Sequence, residues 1–444
     1  MMVFLRFYIF LFLNVFHNIC LASEYEKHIG LKELIEEAMS ADTYVKSANH
    51  ERLIGEARRE EAFGQFLPQI SANISSQKVN RNEIGYQTKI DGDRKSIEIH
   101  QVIYDASIFN NYKKNKLYAE QSKINYEDVR LKRIFYVVEK YFNLLEKKEA
   151  VELLKKEIYV NDINLKKMNR LLEKQMVKIT DVLSFASNND ILKVSLIDAE
   201  NSLYKAKQEI FEIIGRDFNN KLKTVSEDNI DDINFEKSIQ DLIDVSLNNN
   251  KEYLSKLKAL QASEAALAES LGEHKPKLSF NLSMQKNSIG YDYSASQKND
   301  VYISSLQLSI PIYSGGSSYF RNKLHYESVN KISEEVEAVR RAVIKNSIDV
   351  YNGFLSEKKR LEAIRAAIKS SLQARKAAEK SFEYGVIDVV ELQDRINKEY
   401  KAKKEFNFSK FKIIKYYFDL NKLMGDINES HIQYIDDVFL IIEN

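Results

Sequence analysis

Between Gly92 and Gly215 the chain contains no glycine and no proline. Those two residues are the main interrupters of regular backbone, so a stretch this long without either favours continuous helix. Val137, Tyr141, Leu144, Leu145 and Val151 recur at helical spacing within it. A helix from Ser107 to Lys174 would be about 100 Å long at ~1.5 Å per residue. The pattern returns from Ser317 to Tyr384, with Gly353 as its one interruption. No ordinary globular domain accommodates such lengths. Antiparallel coiled-coil hairpins do, with charges such as Lys147, Lys148, Glu149 and Glu152 on solvated faces.

The return is part of an internal duplication. Leu242 lies 208 residues after Leu34, in Asp241–Asp244 against Glu33–Glu36. Pro276 lies 208 after Pro68, Tyr313 lies 209 after Tyr104, and Gly425 lies 210 after Gly215. Thr180-Asp181-Val182 matches Val390-Glu391-Leu392, although Asp181 also matches Asp388. Matches in one order at a nearly constant offset mark two structural repeats. The chain divides into 1–22, a first repeat 23–226, an acidic linker 227–237, a second repeat 238–425 and a tail 426–444.

Each repeat opens with a helical pattern, Leu31 to Phe66 in the first, stopped by Pro68. Alternation follows over about 69–79, then a polar loop with Gly85 and Gly92, then a second alternating run over about 95–104. In the second repeat Leu278, Phe280, Leu282 and Met284 alternate with polar neighbours over about 277–286. Leu306, Leu308 and Ile310 do so over about 301–312. Such strands separate lipid from a wet lumen, or a soluble core from water. If they cross a membrane, four are too few to close a barrel, and chains must share one.

Residues 1–22 read as an export signal. Arg6 precedes the apolar run Phe7–Leu13, and Cys20-Leu21-Ala22 offers a cut after Ala22. Cys20 is the only cysteine, so the mature chain has no disulfide or thiolate metal site. The seven histidines show no metal-ligand spacing, and no catalytic cluster is visible. With 66 basic and 65 acidic residues, the chain has no charge bias toward nucleic acid. No cofactor is expected.

Leu34 to Ala38, Leu67-Pro68-Gln69-Ile70 and above all Pro311-Ile312-Tyr313-Ser314-Gly315-Gly316 resemble the TolC outer-membrane efflux family. The resemblance covers nearly the whole mature chain. It implies a mainly α fold with a small membrane β part. Long antiparallel hairpins would form an α-barrel, and four strands per chain would join a twelve-stranded barrel in a homotrimer. The implied role is an exit duct in the outer membrane, with a periplasmic tunnel pinched at its tip. Its partners would be a periplasmic adaptor (membrane fusion) protein, an inner-membrane ABC or proton-driven exporter, and outer-membrane lipid. Leu278, Phe280, Leu282, Leu306 and Leu308 would then face lipid.

The resemblance also assigns the tip. Turns at Gln175–Thr180 and Gly385–Val390 would meet the adaptor, and Gly385 matches the family glycine. Glu391 and Asp394, one helical turn apart, would form acidic rings facing the pore. In locked relatives a tyrosine and an arginine tie this turn to an aspartate. The aspartate position is Asp181, but the other two hold Phe382 and Ile387, so that lock cannot form. Apolar contact among Phe382, Val386 and Ile387 is the expected substitute, and Gln175 stands where a glycine is usual. The competing reading is an exported coiled-coil scaffold or adhesin, which needs no strands with one apolar and one polar face.

Overall fold

The computed structural model describes residues 28–83, 86–216, 221–225, 230, 233–291, 297–425 and 440–441. The export-signal reading and its cut after Ala22 lie outside them, as does most of the tail.

The helices are α1 (Leu31–Ala41), α2 (Thr43–Gly64), α3 (Ala106–Glu173), α4 (Ile179–Ile214), α5 (Ile239–Asn249), α6 (Lys251–Gly272), α7 (Ser317–Glu383) and α8 (Val389–Met424). The long strands are β2 (Gln69–Glu83), β3 (Tyr86–Tyr104), β6 (Lys277–Tyr291) and β7 (Gln297–Ser309). Four two-residue strands accompany them: β1 (His28–Ile29), β4 (Lys221–Leu222), β5 (Thr224–Val225) and β8 (Leu440–Ile441). β1 pairs with β4 in parallel, and β5 pairs antiparallel with β8.

The glycine-free and proline-free stretch forms α3 and α4, as its composition predicts. α3 has 68 residues and α7 has 67, about 100 Å each. The opening pattern is not one helix from Leu31 to Phe66. It breaks at Asp42, whose Oδ1 accepts from Val45 N at 3.0 Å and caps α2. The second repeat breaks 208 residues on, at Asn250, whose Oδ1 accepts from Tyr253 N at 2.8 Å. The two breaks share one backbone conformation: φ −59° and ψ 116° at Asp42, φ −62° and ψ 114° at Asn250.

The long strands form one antiparallel sheet in the order β2-β3-β6-β7. The register gathers the apolar positions on one face, because Ile70 stands opposite Ile99, Ile99 opposite Leu282, Phe280 opposite Leu306, and Leu278 opposite Leu308. Asn73, Ser96, Gln285 and Val301 lie on the other face, which is mainly polar. Strands β2, β3 and β6 run past the alternating segments; Gly92 is not in a loop but in β3, opposite Gln77 and Ile289. Beyond residue 79 polar residues continue the ladder without an apolar signal. The outer edges of β2 and β7 pair with no strand among the described residues.

Below the sheet the helices keep the order of the strands, with α2 against α3, α3 against α6 and α6 against α7. Further along, α3 pairs with α4 and α7 with α8, while α3 also touches α8. The central core lies where α1 and α5 pack on these long helices, around Leu34, Tyr141, Leu145, Ile210, Leu242 and Phe354. A second, smaller cluster holds the far ends together around Met168, Phe185, Leu392 and Ile396. Buried polar groups separate the two: Asn161, Asn189 and Glu399 are each at most 3% exposed. No helix among the described residues is long and apolar enough to cross a membrane.

Candidate functional site: the helix tips and outer faces

The two helix-to-helix turns are built alike. Gln175 N bonds Leu172 O at 2.8 Å and Met176 N bonds Leu171 O at 2.9 Å. Gly385 N bonds Phe382 O at 3.0 Å and Val386 N bonds Ser381 O at 2.9 Å. Each turn thereby satisfies the last carbonyls of a long helix through a left-handed residue. Gly385 adopts φ 70° freely, but Gln175 is held at φ 61° with a side chain. α4 starts at Ile179 and α8 at Val389, 210 residues apart. This register sets Asp181 against Glu391 and resolves the ambiguity with Asp388. Asp388 instead caps α8, its Oδ1 accepting from Glu391 N at 2.8 Å.

Glu391 and Asp394 share one face of α8 and are about half exposed. Neither carboxylate is bare. Arg395 lies 3.2 Å from Glu391 and Lys398 lies 2.6 Å from Asp394, each one turn further along. This face of α8 therefore carries two acids and two bases in i, i+4 pairs, with no formal net charge. Composition near the turn does not reveal this. The i, i+4 spacing to Arg395 and Lys398 does.

Asp181 serves its own helix: its Oδ2 accepts from Lys178 N at 3.3 Å. Phe382 and Ile387 pack on the tip cluster. Val386 does not join them; it is 75% exposed, so the expected three-residue contact is not made within one chain. A cavity of about 570 Å³ separates the two turns, walled by Leu171, Gln175, Val177, Phe382 and Ile387. Lys167 and Glu383 close one side at 2.5 Å. That hydrogen bond and the lysine charge hold the Glu383 carboxyl below its ordinary range.

Two outer faces escape a reading focused on the turns. On α4, Leu183, Ile191, Val194, Ile197 and Tyr204 are exposed opposite the buried Val182, Phe185 and Ile210. On α7, exposed Ala363, Ala367, Ser370, Ala374 and Ala377 alternate at four- and three-residue steps. Both patterns follow the heptad rhythm of a coiled-coil seam. Since α4 packs on α3 and α7 on α8, the large stripe and the small stripe lie on the outer helices of the set. The five candidate lipid-facing residues, Leu278, Phe280, Leu282, Leu306 and Leu308, share the apolar face of the sheet.

The chain thus carries an apolar-faced four-stranded sheet, with both edges unpaired among the described residues, on helical hairpins about 100 Å long. Residues 242–425 match the family described as outer membrane efflux protein. The chain is 23% identical to outer membrane protein TolC of Vibrio cholerae over 393 residues, covering 86% of this chain and 88% of that protein. It is 20% identical to the alkaline protease secretion protein AprF of Pseudomonas aeruginosa, covering 92% and 86%. The fold matches the crystal structure of VceC, an outer membrane protein of Vibrio cholerae, with a TM-score of 0.80 at 11% identity, covering 89% of this chain and 96% of that one. The second repeat thus matches the outer membrane efflux protein family, and nearly the whole chain is similar to TolC-type outer membrane proteins.

Proposed function

We infer that this chain is an outer-membrane exit duct for efflux or type I secretion, with its helices forming a tunnel in the periplasm. One observation carries the reading: the sheet has one apolar face, one mainly polar face and two edges that pair with no strand among the described residues. Open edges are not viable in hydrocarbon, so the sheet must be closed by other copies. We propose three copies and twelve strands, the assembly the family resemblance implies. The outer helices support it. The large residues of α4 fit the small residues of α7 on a neighbouring copy as knobs fit holes. In this assembly Leu278, Phe280, Leu282, Leu306 and Leu308 face lipid.

The tips then converge on the axis, where Glu391 and Asp394 line the narrowest part of the conduit. Their pairing with Arg395 and Lys398 makes the constriction a mixed-charge ring. The turns around Gln175, Asp181, Phe382, Gly385 and Ile387 are the proposed contact for a periplasmic adaptor, which connects the duct to an inner-membrane exporter. Secretion relatives such as AprF favour a route wide enough for a protein, while the efflux family also admits small molecules.

The test is to fractionate cells and follow the protein with and without heating before electrophoresis. A heat-dissociable species of three chains in outer membranes is expected. Deletion of the gene should lower export of at least one secreted protein or raise drug susceptibility. A monomer in the soluble fraction contradicts the reading.

A further inference from the structure

The apolar face of the sheet ends at a row of lysines. Its last apolar row is Ala72, Ile97, Met284 and Tyr302, in register across β2, β3, β6 and β7. Ile97, Met284 and Tyr302 are 50%, 41% and 68% exposed. The next row on the same face is Ile74, Lys95, Lys286 and Asp300, and the one after it is Ser76, Asp93, Ser288 and Lys298. Both rows lie toward the hairpin ends of the strands, away from the ends that join the helices at Gln69, Tyr104, Lys277 and Ser309.

Lys95 and Lys286 are therefore direct cross-strand neighbours. Like charges so placed weaken a sheet unless an opposite charge joins them. The protein supplies that charge to one of the two. Lys286 reaches Asp300 at 3.7 Å, with 73% and 54% of the side chains exposed. Lys95 is exposed, has Ile74 on its other flank, and forms no ion pair among the described residues.

The surrounding acids do not cancel the lysines. Beyond the apolar rows this face carries Lys78, Lys95, Lys286 and Lys298 against Asp93 and Asp300. Asp91 and Lys89 follow at the register positions opposite Lys78 and Asn80, and they offset each other. Arg94 and Glu98 belong to the other face, opposite Ser75 and Ser71. With every acid of the paired strands counted, two lysine charges per chain remain without a partner acid.

We propose that Lys95 and Lys286 hold the phosphate of an anionic lipid in the outer leaflet, its acyl chains lying on Ile74, Ile97 and Met284. The proposal rests on the reading that this face meets lipid, with the helices on the periplasmic side. A lone lysine at this height needs only water, but two opposed lysines share one anion. A phosphate that carries acyl chains meets both parts of the site, the ammonium pair and the exposed apolar row beside it. A free phosphate meets only the first.

The test uses the full protein in detergent, titrated with bisphosphorylated lipid A or with phosphatidylcholine and read by native mass spectrometry. One lipid A should bind per chain, roughly tenfold more tightly than phosphatidylcholine. Lys95→Glu sets an acid opposite Lys286. It should weaken lipid A roughly tenfold while melting no lower than the parent in lipid-free detergent. Lys401→Glu with Lys404→Glu alters more charge, at exposed positions of α8, and should leave binding unchanged. Inorganic phosphate in large excess should not displace the lipid. Equal binding of the two lipids, equal binding by Lys95→Glu, equal weakening by the α8 variant, or displacement by inorganic phosphate overturns the proposal. Insertion of the same samples into phosphatidylcholine vesicles keeps the two readings apart. A protein that inserts but fails these comparisons loses the phosphate site alone. One that does not insert loses the lipid-facing assignment, and the site with it.

Discussion

Arg133 Nε donates to Asp42 Oδ2 at 2.6 Å, joining the middle of α3 to the break between α1 and α2. The Asp42 side chain is 1% exposed, and that of Arg133 is 20% exposed. The guanidinium also lies over Tyr44 and Tyr136, at 4.8 and 4.5 Å. Asp42→Ala removes both a helix cap and the partner of a half-buried cation. We expect a loss of roughly 3 kcal/mol. Asp42→Asn keeps the cap, as Asn250 does in the second repeat, and should cost roughly half as much. Thermal unfolding of the purified protein compares them; equal melting of the two variants would show that the ion pair contributes nothing.

The left-handed Gln175 gives a second expectation. Gln175→Gly relieves a strained position that Gly385 occupies without strain. The turn should gain about 0.5–1 kcal/mol, less than a new contact would supply. Hydrogen exchange at the Met176 amide, bonded to Leu171 O at 2.9 Å, should slow two- to fivefold. Faster exchange would mean that the Gln175 side chain makes a compensating contact.

These features separate what the sequence shows from what it hides. Helix length is legible because glycine and proline are absent, and the faces of the sheet are legible because the strand period is two. The break at Asp42 is not, since no glycine or proline marks it and an aspartate is tolerated inside many helices. Comparison with Asn250 would have found it. Strand β2 continues past residue 79 through Asn80, Arg81, Asn82 and Glu83, a run with no apolar residue, so periodicity falls silent where the hydrogen-bonded ladder continues. At the tip, residue spacing placed Glu391 and Asp394 on one face but left out the cations one turn along. The outer stripe of α4 was hidden because a helix with two apolar stripes has no single hydrophobic face.

The polar layer between the two apolar clusters should respond to pH. Burial holds the Glu157 carboxyl above its ordinary range, and Glu399 adds to this while Lys403 and Arg375 oppose it. The folded state then binds this proton more tightly than the unfolded state. Stability from this group is greatest below the ordinary glutamate range and is lost as pH rises through the raised value. Glu399 behaves oppositely: burial raises it, but Lys403 and Arg375 outweigh burial and hold it low. Its contribution is present at neutral pH and is lost on acidification. Glu157→Gln should therefore raise stability at neutral pH and give little change near pH 4 relative to the parent. Melting temperatures at several pH values check this, and a parallel shift at every pH contradicts it.

The sheet makes a prediction about depth and face. Phe280→Arg and Leu306→Arg place a cation on the apolar face, where roughly 2–4 kcal/mol is expected near mid-bilayer. Asn281→Arg and Ser283→Arg lie on the other face and should be milder. Recovery of heat-dissociable trimer from outer membranes measures the difference. Equal recovery of all four variants would remove the lipid-facing assignment.

The most direct test of the duct is current through the purified protein in a planar bilayer. Discrete conductance steps are expected, with partial block by a multivalent cation added from the side of the helix tips. Glu391→Ala with Asp394→Ala should abolish that block. Because each acid is paired on its own helix, Arg395→Ala with Lys398→Ala should strengthen it several-fold by baring both carboxylates. Phe382→Ala or Ile387→Ala should change conductance more than Asp181→Ala, since the first two pack in the tip cluster. A trimer that inserts into the bilayer and passes no current in any of these variants would contradict the account.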